Sequence, residues 1–210
     1  MARILFINPN ANQACGEGIS AAVERFRMPN GPAIDVISLA DGPDAIVTWR
    51  NWHFAVEPLC RAVEREQADL YVVACASDPG IEAVQATTTK PVLGAFRSAV
   101  AVASGVGRFG VIALADQSIG RHQVALRAMG LEGRLAGEIA MNRSIPELLD
   151  PERARGALIE TARALARMGA QSIILGCTGM AHHREAVASA CGLAVIDPCQ
   201  AAAGIALARV

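Results

Sequence analysis

A chain of 210 residues in which 52% are hydrophobic and 19% are charged can build one large domain or two small lobes, and this composition excludes intrinsic disorder. Nineteen Lys and Arg residues against twenty Asp and Glu residues give a formal charge of -1, so the chain lacks the basic excess that is typical of nucleic-acid-binding proteins. The longest stretch without Asp, Glu, Lys or Arg, residues 168–183, contains glycines and is shorter than the roughly 20 apolar residues of a membrane span.

Short apolar runs that end at turn residues alternate along the chain with segments of helical periodicity. The first run is a strand that stops at Asn8-Pro9-Asn10. The predicted strands cover residues 3–7, 33–39, 70–74, 91–93, 109–114, 172–175 and 194–196. The predicted helices cover residues 18–27, 52–66, 79–86, 97–103, 118–129, 151–168, 180–190 and 200–208. This alternation predicts an α/β fold whose mostly parallel strands are covered by helices on both faces.

Two segments of the chain repeat each other without a gap. Residues 68–75 and 170–177 each follow a long helix, end in a cysteine and lead into a glycine-containing turn. A period of about 100 residues is too long for a solenoid and predicts two similar parallel-sheet lobes related by pseudo-twofold symmetry. The carboxyl ends of both sheets would then face a cleft between the lobes, where α/β proteins bind ligands. We place the lobes at residues 1–95 and 96–210, with the last helix packing back on the first lobe.

Several common classes of protein do not fit this sequence. Polar residues 8–10 interrupt the first apolar run, so no targeting signal is predicted and we expect a cytoplasmic protein with six reduced cysteines. No Cys or His pattern has metal-ligand spacing, the adjacent His182 and His183 included, so no metal site is expected. Residues 105–110 match the glycine pattern of dinucleotide-binding loops, but they follow a helix and lead into a strand, which is the wrong context for that motif.

Cys75 and Cys177, at matched strand ends, are the residues that we expect to perform chemistry. A helix N-terminus and nearby amide groups favour a thiolate, so the pKa of each thiol is expected to be lowered. Two cysteines on facing lobes suit a two-base reaction, in which one thiolate removes a proton next to a carbonyl and the opposite thiol returns one. Asn10 is expected to point its amide into the cleft. The remaining cysteines are predicted to be core residues: Cys15, Cys60, Cys191 and Cys199.

Residues 7–10, 75–80 and 175–181 together resemble the aspartate/glutamate/hydantoin racemase superfamily, and the hydantoin and allantoin racemases are its most similar branch. The resemblance spans nearly the whole chain. It implies two α/β lobes, a homo-oligomer and racemisation of a small molecule without a cofactor. By matched position, Cys75 and Cys177 would be the catalytic acid/base pair. The candidate substrate-binding residues are Asn10, Ala76, Ser77, Asp78, Pro79, Gly80, Thr178 and Gly179.

Departures from the family pattern bear on the substrate. Ala76-Ser77 and Thr178-Gly179 stand where the amino-acid racemases of the superfamily typically have Asn-Thr and Thr-His, which argues against a free amino acid. Arg97 stands where hydantoin racemases often have an acidic residue, and it would favour a carboxylate-bearing substrate if it faced the cleft. We therefore predict a racemase of 5-substituted hydantoins or a related cyclic ureide. The alternatives are a racemase of an acidic amino acid, a maleate cis-trans isomerase and a non-catalytic ligand-binding protein on the same fold.

Overall fold

The computed structural model describes the backbone of all 210 residues and every side chain except those at positions 145, 149 and 151. The strands are β1 (Arg3–Asn8), β2 (Ala33–Ser38), β3 (Leu70–Val73), β4 (Val92–Gly94), β5 (Phe109–Ala113), β6 (Leu135–Ala140), β7 (Ser172–Gly176) and β8 (Ala194–Ile196). The helices are α1 (Gln13–Val23), α2 (Trp49–Phe54), α3 (Val56–Arg65), α4 (Ile81–Thr87), α5 (Ala95–Val106), α6 (Asp116–Met129), α7 (Ile145–Leu149), α8 (Pro151–Arg167), α9 (Arg184–Cys191) and α10 (Pro198–Leu207). Within the described part of the chain, no helix combines the length and the apolar character needed to cross a bilayer.

The eight strands form two parallel sheets of four strands each. The strand order is β2-β1-β3-β4 in the first sheet and β6-β5-β7-β8 in the second, so the two halves of the chain have the same topology. The inner strands are continuous apolar runs because helices cover both of their faces, as in β3 and β7, where every residue is buried. The predicted α/β fold with two similar parallel-sheet lobes is confirmed.

The structure differs from the sequence-based prediction in a few elements. Strand β6 was not predicted, because Gly137 and Glu138 interrupt its apolar residues and its residues are only half-buried at the edge of the sheet. The helix predicted over residues 52–66 is divided into α2 and α3, and α2 begins earlier because Thr48 and Asn51 form a capping box. The helix predicted from residue 180 begins as α9 only at Arg184, because residues Thr178–His183 form a 3-10 segment.

Two helices cross between the sheets. Helix α5 leaves the first sheet after β4 and buries Phe96 and Val100 against β5 and β7 of the second sheet. Helix α10 leaves the second sheet after β8 and buries Ala202 and Ala206 against β1 and β3 of the first. The two helices also pack against each other. This exchange ties the lobes together and holds the carboxyl edges of their sheets opposite one another.

Candidate active site

A small cavity lies where the carboxyl ends of the two sheets meet. Its volume is about 40 Å³, far below the roughly 300 Å³ or more of typical ligand pockets. A larger cavity of about 520 Å³ adjoins it, and Cys15 and Thr178 line both. The sequence-predicted residues that the structure brings together in the small cavity are Asn10, Cys75, Ala76, Ser77, Cys177 and Thr178.

Cys75 occupies the turn that follows β3, the inner strand of the first sheet. Its Sγ lies 3.5 Å from the Ser77 Oγ, and the Ser77 backbone amide acts to lower the pKa of the thiol. The Trp52 indole Nε1 donates to the Ser77 carbonyl at 2.9 Å, so α2 holds this turn from the outside. The thiol is therefore fixed by neighbours on both sides of its turn.

Cys177 occupies the corresponding turn after β7 in the second sheet. The backbone amide of Gly179, a residue that lines the larger cavity, acts to lower the pKa of this thiol. Gly176, directly before Cys177, lies so close to β5 that a Cβ atom there would be 2.6 Å from the Ile112 carbonyl oxygen. Close contact between β5 and β7 thus fixes the position of the second thiol.

Both thiols have a raised pKa, and the lowering expected from the sequence is wrong. Burial raises the pKa of Cys75 and raises that of Cys177 to about 12, while the amide groups of the turns lower both by less. The helix dipole contributes little because α4 begins only at Ile81 and a 3-10 segment separates Cys177 from α9. Arg121 acts in the opposite direction to burial and lowers the pKa of Cys75.

Asp78, Pro79 and Gly80 lie outside the lining of the small cavity. Asp78 is buried and accepts the backbone amides of Phe96 and Arg97 at 2.8 Å each, so it joins the turn of Cys75 to the start of α5. Burial raises its pKa to about 7 even though these amides and the Arg97 guanidinium favour the charged form. Gly80 has a φ of 59° and lies against Val56, which leaves no room for a side chain.

Arg97 does not line the small cavity either. Its guanidinium pairs with Glu82 and lies 3.9 Å from the Asp78 carboxylate. Arg97 was expected to favour a carboxylate-bearing substrate only if it faced the cleft. Its guanidinium instead pairs with these carboxylates outside the cavity lining, so that condition is not met.

Seven lining residues were not predicted from the sequence: Cys15, Ile46, Leu114, Ser118, Arg121, His122 and Gly176. Cys15, predicted as a core residue, is buried, and the Asn10 side chain acts to lower the pKa of its thiol. Ser118, Arg121 and His122 share one face of α6 through their spacing of three and four residues. That spacing is visible in the sequence, but a polar helix face more often meets solvent than a cavity.

His122 links the cavity to the strand that the sequence did not reveal. The imidazole is fully buried, stacks on Phe96 at a centroid distance of 4.4 Å and forms a hydrogen bond through Nδ1 with Glu138 of β6. Its Nε2 has no partner among the described side chains. Through this hydrogen bond, β6 supports the polar face of α6 that lines the cavity.

Comparison with known proteins gives consistent matches along the whole chain. The family model described as Asp/Glu/Hydantoin racemase matches residues 4–206. A hydantoin racemase from Paenarthrobacter aurescens is 31% identical over 97% of this chain and 89% of its own length. Allantoin racemases from Klebsiella pneumoniae and Pseudomonas fluorescens each superimpose with a TM-score of 0.89 at 26% identity. These alignments cover 98% and 97% of this chain, and 86% and 88% of the respective racemases.

Proposed function

The chain belongs to the Asp/Glu/hydantoin racemase family and is an isomerase of the racemase type, and from this premise we propose a cofactor-independent racemase of 5-substituted hydantoins or a related cyclic ureide. In this proposal Cys75 and Cys177 are the acid/base pair. The observation that carries it is that one cavity is lined by both thiols, each supplied by the inner strand of a different sheet. The proposal also includes that the enzyme acts on a small molecule, forms a homo-oligomer and is located in the cytoplasm.

The reaction exchanges protons on opposite faces of one carbon. The Cys75 thiolate removes the proton from the carbon next to the carbonyl, and the electron pair of that C–H bond moves into the carbonyl to give an enolate. The Cys177 thiol then donates its proton to the other face, which leaves Cys75 as a thiol and Cys177 as a thiolate. The opposite enantiomer reverses the roles, so one proton is removed and one is added in either direction.

The raised pKa of both thiols favours a ureide over an amino acid. Removing the α-proton of an ionised amino acid places a second negative charge beside a carboxylate. The hydantoin carbonyl is neutral, so the charge that it accepts is the first one in the ring. Buried thiols whose ionised forms are disfavoured are better matched to the more acidic carbon of the hydantoin. The hydantoin racemase from Paenarthrobacter aurescens supports the same class of substrate.

The catalytic rate is expected to increase with pH from 7 to about 10 because one thiol must be ionised and the pKa of both is raised above its ordinary value. Below the first apparent pKa of the pair, kcat/KM should rise up to about tenfold per pH unit. The decline should begin only when the second thiol ionises, since the pKa of Cys177 is about 12. Initial rates of optical rotation, corrected for the uncatalysed reaction at each pH, would measure this profile. A maximum at or below pH 7 would contradict it.

A panel of single enantiomers tests the substrate class. We expect at least one 5-substituted hydantoin or allantoin to lose optical rotation faster than without enzyme, and a 5,5-disubstituted hydantoin, which lacks the exchangeable proton, to keep it. Aspartate, glutamate and maleate should remain unchanged. Turnover of one of these three without any ureide reaction would replace the proposal by the corresponding alternative, and no turnover at all would favour a ligand-binding protein.

A further inference from the structure

Arg121 is a buried cation in the wall of the cavity that holds both cysteines. Only 3% of its surface is exposed. Its Nη1 donates to the Gln117 carbonyl at 2.9 Å and its Nη2 to the Ser118 Oγ at 3.2 Å, so both bonds stay within α6. Its Nε is buried without a partner among the described residues. The guanidinium therefore has an unused donor inside the protein.

No acidic side chain among those that the structure describes neutralises this cation. Burial lowers the pKa of Arg121, and the thiol of Cys75 is the acidic group whose influence opposes that effect. By contrast, Arg3, Arg27 and Arg97 each pair with a carboxylate. Because burying an unpaired charge is unfavourable, buried guanidinium groups are normally paired with an anion. An anion that arrives with the substrate would supply the missing partner.

The surroundings of Arg121 hold the guanidinium in place for such an anion. Its Cζ lies 5.9 Å from the centroid of the Trp49 ring, a cation–π distance that holds one side of the group. The next residue, His122, also lines this cavity, and its buried Nε2 has no hydrogen-bond partner among the described residues. A planar guanidinium binds carboxylates well, since two parallel hydrogen bonds can form.

We propose that Arg121 is the subsite for a carboxylate on the substrate side chain, so that the enzyme acts on a hydantoin or related cyclic ureide that carries an acid group. This inference rests on the proposed function and narrows its substrate class. It also assigns to Arg121 the role that the sequence suggested for Arg97, which Glu82 already neutralises.

Two hydantoins of matched shape test the subsite: one whose 5-substituent ends in a carboxylate, and one in which a primary amide replaces that carboxylate. We expect kcat/KM of the wild-type enzyme to be about 10- to 100-fold higher for the acid than for the amide, as is typical of a charged hydrogen-bond partner. Arg121→Gln should bring this ratio close to one, and Arg121→Lys, which keeps the charge but not the planar group, should give an intermediate ratio. Any effect on the Cys75 thiol acts on both substrates and cancels in the ratio.

Arg127→Gln is the matched control, because Arg127 lies on the same helix but is exposed and pairs with Glu132. This variant should keep the wild-type ratio. Thermal unfolding distinguishes a substrate-binding role of Arg121 from a structural one. If the charge serves the substrate, Arg121→Gln should unfold at the wild-type temperature or above. A wild-type ratio of one or less, a ratio that Arg121→Gln leaves unchanged, or a lower unfolding temperature with both rates reduced equally would overturn the subsite.

Binding to the double variant Cys75→Ser/Cys177→Ser separates this inference from the proposed function. Calorimetry should show tighter binding of the acid than of the amide, and adding Arg121→Gln should remove the difference. If this preference is found while the wild-type enzyme racemises neither compound, the subsite stands and the proposed function fails. If racemisation occurs without an Arg121-dependent preference, the proposed function stands and the subsite fails.

Discussion

Cys75→Ser and Cys177→Ser are each expected to lower kcat/KM for racemisation by about 10³-fold or more, whichever enantiomer is supplied. Each thiol is the base in one direction and the acid in the other, so the loss of either blocks both directions. A hydroxyl has nearly the same shape as the thiol but is a far weaker acid, so it neither ionises nor donates its proton at a useful rate. Chiral chromatography of each enantiomer after timed incubation would measure the loss.

The single variants should also differ from each other in a way that a structural role would not produce. The remaining thiol still faces one side of the carbon, so each variant should exchange the proton of one enantiomer with solvent without inverting it. Cys60→Ser and Cys191→Ser are the controls, since neither residue lines the cavity, and both should racemise as the wild type does. Full racemisation by either Cys75→Ser or Cys177→Ser would exclude the two-cysteine mechanism.

Gly176→Ala is expected to have the largest effect among substitutions that leave the polar groups of the site unchanged. The new Cβ would lie 2.6 Å from the Ile112 carbonyl oxygen and 3.1 Å from the Ala113 Cα, and both belong to the backbone of β5. Because a strand in the middle of a sheet cannot yield locally, β7 and Cys177 must shift together. We expect the free energy of unfolding to fall by about 1–3 kcal/mol. A displaced catalytic group should lower kcat about 10²-fold.

Gly204→Ala is the matched control for this prediction. Gly204 lies in α10 with nothing within 4 Å of an added Cβ, so alanine should leave kcat unchanged and stabilise the protein by about 0.5–1 kcal/mol. Urea denaturation together with steady-state kinetics would compare the two variants. If Gly176→Ala keeps the stability and kcat of the wild type, close contact between β5 and β7 does not position Cys177.

The central pair of the site could be predicted from the sequence because it depends on features that are local and repeated. An apolar run, a cysteine at its end and a glycine-containing turn recur about 100 residues apart, around Cys75 and Cys177. Parallel strands bring their carboxyl ends to one edge, so the match between the halves already predicts two cysteines at facing edges. The structure has the same strand order in both sheets, as that repeat requires.

The residues that α6 contributes to the cavity could not be predicted, since they depend on which face of the helix is buried. Arg121 and His122 are polar residues on an amphipathic helix, and only the position of α6 beside the cavity shows that they avoid solvent. Strand β6, which supplies Glu138 to His122, lacks the apolar run that identifies a strand. The direction of the pKa changes was missed for the same reason, because burial is a property of the assembled lobes and outweighs the local amides.

Deuterium incorporation in the first turnovers tests the two-cysteine mechanism most directly. A single enantiomer of a reactive 5-substituted hydantoin would be incubated with the enzyme in D₂O, and the two enantiomers would be separated at low conversion and analysed by mass spectrometry. Since the proton is removed by one thiol and replaced by the solvent-exchanged deuteron of the other, the inverted product should carry one deuterium while the recovered substrate carries almost none. Product that retains the original proton, or equal deuterium in both enantiomers beyond the level of an enzyme-free control, would contradict this mechanism.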